Sequence, residues 1–164
     1  MQFERLLISL ILISCNSKPN DKTEANKINA DTVILSPSKN NNMAYKEQLE
    51  VTKKYYPFRN WRESYNDGLE QYTEENCNKA QAIFETLIAK LIELGQDANE
   101  KDKVELFKTA VLSLNKLNDE IEGLIETGER EDLCELIDQI TIAAEMNPKN
   151  YADGEGIADE WRDW

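Results

Sequence analysis

From Cys77 to Ala144 apolar residues recur at intervals of three and four, with few glycines and no proline to interrupt them. That spacing lines side chains along one face of an α-helix and does not fit a strand, whose period is two. Cys77, Ala80, Phe84, Leu87, Ile88, Leu91 and Ile92 form a first stripe that ends near Gly95. Val104, Phe107, Val111, Leu114, Leu117, Ile121, Leu124 and Ile125 form a second, with Gly128 as its expected stop. Gly123 inside that stripe would cost about 1 kcal/mol relative to alanine. Leu133, Leu136, Ile137, Ile140, Ala143 and Ala144 form a third, which gives out at Asn147-Pro148. Thr73 reads as the N-cap of the first helix, with Glu74 and Glu75 where the helix dipole favours carboxylates. Asp97 and Glu100 read as a capping box for the second. The expected fold is all-α: a small antiparallel bundle of three long helices with short links.

Shorter helical segments flank this core. Tyr45, Leu49, Thr52 and Tyr56 fall at helical spacing and Pro57 ends their helix. Phe58, Trp61 and Tyr65 make an aromatic stripe, closed by the turn Asn66-Asp67-Gly68. The tail from Gly156 to Trp164 reads as one or two last helical turns.

The first forty residues have a different character. Leu6 to Ile13 is apolar apart from Ser9, follows Arg5, and gives way to polar residues directly after Cys15. A short charged start, a brief apolar core and a small-residue junction describe a secretory signal. The run is well short of the ~20 residues that span a bilayer. Leu12-Ile13-Ser14-Cys15 resembles the lipobox of bacterial lipoproteins. The resemblance implies that residues 1–14 are a signal peptide and that Cys15 is lipidated and becomes the mature N-terminus. Two or three acyl chains would hold the chain on a membrane, since each buried methylene contributes about 0.8 kcal/mol. Residues 15–42 are expected to be the lipidated cysteine and a disordered tether, spanning about 30 Å r.m.s. as a coil. Asn16-Ser17-Lys18-Pro19 lacks the acidic cluster that some lipoproteins use as a surface-export signal, so a periplasm-facing position is expected. The helical domain is then residues 43–164, long enough to bury a core unaided. From "YYPFRNWRE" to "EWRDW" it resembles a family of small, uncharacterised bacterial helical proteins, a resemblance that implies a domain but no activity.

Residue chemistry narrows the function. The chain has no histidine, which removes Ser-His and Cys-His nucleophilic machinery and the commonest zinc ligand. There is no glycine-rich phosphate loop. The carboxylates sit on helix faces with nothing to select a catalytic pair, so no enzyme, catalytic residue or cofactor is expected. "DGEGIADE", Asp153 to Glu160, does not fit an EF-hand: in one register Lys149 and Tyr151 stand at ligand positions, and in the other Arg162 does. A looser calcium site there is a minor alternative, and no metal residues are assigned.

Charge is distributed unevenly. Residues 117–164 carry fifteen acidic and three basic side chains, a net of −12, against −2 for residues 43–116. Nucleic acid is excluded as a partner, because binding it needs a basic footprint. A basic protein would be steered in, and Glu126, Glu129, Glu131 and Asp132 are the expected contacts. Glu126 is placed at the end of the preceding helix. Cys77 and Cys134 would share similar height in parallel helices, and an exported chain would allow them to form a disulfide worth about 4 kcal/mol; two separate core thiols are the alternative. Tyr55, Tyr56, Phe58, Trp61 and Tyr65 read as one aromatic cluster, and Trp161 and Trp164 as a second. The tail tryptophans are expected to dock on the Trp61 segment and close the end of the bundle, the alternative being exposed platforms for a sugar or a protein.

These features together lead to a membrane-tethered, non-enzymatic envelope lipoprotein that binds a protein through its acidic half, for instance as an immunity-type inhibitor of a basic toxin. A glycan-binding module using the tryptophan and tyrosine clusters is the runner-up, and a structural spacer the third reading.

Overall fold

The computed structural model describes residues 38–164, with side chains from residue 42 onwards. The expected signal peptide, Cys15 and most of the expected tether lie outside the described residues. Among the described residues every regular element is helical, and no helix is long and apolar enough to cross a membrane.

Helix α1, Ser38–Val51, starts five residues earlier than the expected domain boundary and runs into a 3-10 turn, Thr52–Tyr55. The helix buries Tyr45 and Leu49, and the turn buries Thr52. Pro57 then redirects the chain into α2, Phe58–Ser64, whose Phe58 and Trp61 point into the core while Tyr65 is left exposed. Helix α3 is Glu74–Leu94. The Thr73 hydroxyl accepts from the Asn76 N–H at its start, so the expected N-cap forms. Helix α4 is Glu100–Glu120. Its cap is Asn99, whose side chain accepts from the Lys101 N–H, rather than the capping box expected from Asp97 and Glu100.

The expected second stripe is too long by a turn. Helix α4 ends at Glu120, and Leu124 and Ile125 are buried from a link instead. Gly123 lies in that link with φ +71°, a conformation that costs glycine little, so it breaks the helix instead of weakening it. The Asn118 side chain accepts from the Ile125 N–H and pins the link back onto α4. Helix α5, Thr127–Ala143, follows at once, so Gly128 lies in its first turn and stops nothing.

Helices α3 and α4 pack against each other along their length, while α1 touches both α3 and α5. Consecutive α4 and α5 approach each other little; the C-terminal turn Ile157–Glu160 packs between them and bridges the two. The bundle is therefore closed by the tail, which buries Ile157 and Ala158, and not by three helices alone. Tight turns at residues 148–154 bring the tail to this position. Gly156 crosses α5 at φ +111°, so close that a Cβ there would sit 2.8 Å from Asp138 Oδ1.

Candidate functional site

The acidic end of the domain is built by the α4–α5 junction. Asp119, Glu120 and Glu122 lie at and just past the end of α4; Glu126 caps α5, and Glu131, Asp132 and Glu135 follow on it, all exposed. Glu120 is paired with Lys116 at 3.7 Å. The three cations of residues 117–164 do little to offset this surface. Lys149 donates to the Gly154 carbonyl at 3.0 Å, and Arg162 is bound to Asp159 and to the Trp164 carbonyl. Only Arg130 lies within the acidic stretch itself.

The four acids expected to meet a partner have different duties. Glu126 is the N-cap of α5, not the end of the preceding helix. Its side chain accepts from the N–H of residue 129, while Glu129 Oε2 accepts from the Glu126 N–H at 3.2 Å, a reciprocal capping box. Its charge therefore complements a helix dipole rather than opposing it. Glu129 also lies near the Tyr72 hydroxyl. Burial, and then that carboxylate, push the Tyr72 hydroxyl far above the usual tyrosine range. Asp132 accepts from the indole N–H of Trp61 at 3.3 Å. Glu131 alone of the four has no intramolecular hydrogen bond or ion pair among the described residues.

The three tryptophans do not form one cluster. Trp61 is 3% exposed and packs edge-on against Phe58 and tilted against Tyr72. Among the described residues no ring pair joins it to Trp161 or Trp164. Those two dock elsewhere: the Trp161 carbonyl accepts from the Asn115 amide of α4 at 2.8 Å, and the Arg162 guanidinium lies 5.6 Å from the Trp164 ring. The tail is tied down by α4 and α5, because the backbone of Trp161 and the small residues Gly156 and Ala158 fit there.

Cys77 and Cys134 are free thiols. Cys77 is buried at the start of α3, its Sγ donating to the Tyr72 carbonyl at 3.6 Å. Cys134 is half-buried on the side of α5 that meets the tail, with Arg162 and Asp159 nearby. The helices that carry them are not close backbone neighbours. Burial raises both thiols above their ordinary range.

Two of the four acids in the "DGEGIADE" loop are engaged within the tail. Glu160 accepts from the Ala152 N–H at 2.6 Å, and Asp159 is taken by Arg162. Among the described residues no group of histidine, cysteine, aspartate and glutamate is arranged to hold a metal ion.

One feature had no clear sequence signal. Lys103 is 4% exposed, and its ammonium donates to the Gln96 carbonyl at 2.8 Å and the Ala144 carbonyl at 2.9 Å, 5.2 Å from the Tyr45 ring. It places a cation just past the ends of α3 and α5, where two helix dipoles converge. Gln96 completes the junction by donating to Glu145 at 2.8 Å. Glu145 itself has φ +62° and ends α5 in a Schellman arrangement: its N–H donates to Ile142, and the Met146 N–H donates to Thr141.

What the fold and this site define is an all-α domain with one strongly acidic end. No known protein family, curated protein or solved structure matches the chain.

Proposed function

We propose that the chain is a lipid-anchored protein of the bacterial envelope, facing the periplasm, whose helical domain binds a cationic protein through the α4–α5 end. The observation that carries this reading is the exposed run Asp119, Glu120, Glu122, Glu126, Glu131, Asp132 and Glu135, with Arg130 as the one cation inside it. A surface of that sign raises the encounter rate of a basic partner and repels acidic ones. An inhibitor of a basic toxin is the concrete form this activity would take. The burial of Trp61 removes the centre of the proposed sugar platform, which favours a protein partner over a glycan.

The anchor is tested by Cys15→Ala, which should release the chain from the membrane fraction or leave it uncleaved. Unchanged processing and unchanged detergent-phase partitioning would remove the lipoprotein reading. The binding face is tested by capturing partners of the full chain from an envelope extract, then measuring association rates at low and high salt. Glu122→Lys, Glu131→Lys and Glu135→Lys together reverse charge without touching the capping box. The on-rate should fall with salt and with the triple reversal. A captured partner indifferent to both would make the acidic end a solvated surface and the domain a spacer or a binder through another face.

A further inference from the structure

At the C-terminal end of α5, away from the acidic α4–α5 junction, α1 and α5 line a groove of about 640 Å³. Its floor is aliphatic, from Ala44, Val51, Ile142 and Ala143. Val51 and Ile142 are 56% and 55% exposed, the two largest branched aliphatic exposures in the described domain. Two charges of opposite sign border this floor: Glu47 and Lys54. They lie seven residues apart on one continuous helical run, about 11 Å along its axis. Between them, Lys53 is already engaged, bridging Glu50 and Glu85 at 2.8 and 2.7 Å. Among the described residues, Glu47 and Lys54 pair with no opposite charge.

This pattern is self-complementary. A two-fold axis perpendicular to α1 near Val51 sets two copies of α1 antiparallel. Glu47 of each copy then faces Lys54 of the other, and the Val51 and Ile142 side chains of both copies meet between the charge pairs. An isologous contact of this kind repeats every interaction twice, so one unpaired acid and one unpaired base on a single chain suffice for two intermolecular ion pairs. We propose that the α1–α5 groove is the site where a second copy of this chain docks, forming a two-fold homodimer. The inference does not rest on the acidic end or on lipidation, and leaves the α4–α5 end free for a partner.

The test uses the full chain purified in detergent, by analytical ultracentrifugation with inter-chain crosslinking at Val51→Cys. Wild type should dimerise, and Glu47→Lys alone or Lys54→Glu alone should weaken the dimer about tenfold by opposing like charges. Combining Glu47→Lys with Lys54→Glu restores the complementary pattern and should restore the dimer. Ile142→Asp should abolish it. All these positions are solvent-exposed, and a far-ultraviolet circular dichroism spectrum confirms that each variant is folded. A wild-type chain monomeric at tens of micromolar would overturn the proposal. So would a dimer that tolerates Ile142→Asp, or one that the double charge swap fails to restore.

Discussion

The indole N–H of Trp61 on α2 donates to Asp132 Oδ2 on α5 at 3.3 Å, joining residues seventy-one positions apart. The bond is long for an N–H···O contact, and Asp132 is exposed, so its net contribution is about 0.5–1 kcal/mol. Asp132→Ala should lower the unfolding free energy from denaturant titration by that amount, and should have no effect in a Trp61→Phe background, where the donor is gone. An Asp132→Ala effect that persists in Trp61→Phe would mean that the carboxylate acts through something other than the indole.

The capping box sets a second expectation. Glu126→Ala and Glu129→Ala each remove one side of the reciprocal bond at the start of α5, and each should cost about 1 kcal/mol. The two losses should add to less than their sum, because either substitution already breaks the box. Thermal melts of both single variants and the double variant measure this. Strict additivity would show that the two carboxylates act separately.

Lys103 gives a third. Lys103→Met keeps the aliphatic stem but leaves the Gln96 and Ala144 carbonyls without their donor. The fold should lose about 2 kcal/mol or more, the usual cost of stranding buried acceptors. The bonds run to carbonyls rather than to a carboxylate, so raising salt should change that loss little. Denaturant titrations at two ionic strengths check both points, and a neutral Lys103→Met would remove Lys103 as the clamp between α3 and α5.

Alkaline pH gives a fourth. Burial, and then the charge of Glu145, push Tyr45 up to about 12; burial first, and then nearby carboxylates, also raise Tyr56, Tyr72 and Tyr151. A tyrosine ionises near 10 when unfolded. The fold holds these phenol protons more tightly than the unfolded chain does, so their contribution is fully present below pH 10. It falls as pH rises from there and, for Tyr45, is lost by the time pH passes about 12. Stability should therefore drop over that window, with tyrosinate absorbance near 295 nm rising together with loss of helical signal. Full tyrosinate absorbance in a chain still helical would contradict the burial of these hydroxyls.

Much of the fold is local, and local chemistry is legible in a chain. The stripes at Cys77–Leu91 and Leu133–Ala144 face the core as their spacing requires, Thr73 caps α3, and Gly95 ends it, because each depends on residues within a turn of one another. The concentration of acid in the last third of the chain is equally plain from its letters. The end of α4 is not. Leu124 and Ile125 continue the helical period but are buried from a link, and only the packing of the α4–α5 junction distinguishes a buried helical residue from a buried loop residue. The same limit applies to the site. That Glu126 caps the helix after it, that Trp61 is walled in by Phe58 and Tyr72, and that Lys103 reaches the ends of two helices at once all depend on groups distant in the chain arriving at one place. Periodicity reports which face of a helix is apolar. What that face meets, and whether a charge beside it finds solvent, a helix end or another side chain, is decided when the helices and the tail close around a shared core, because the cost of burying a polar group depends on partners that only that closure supplies.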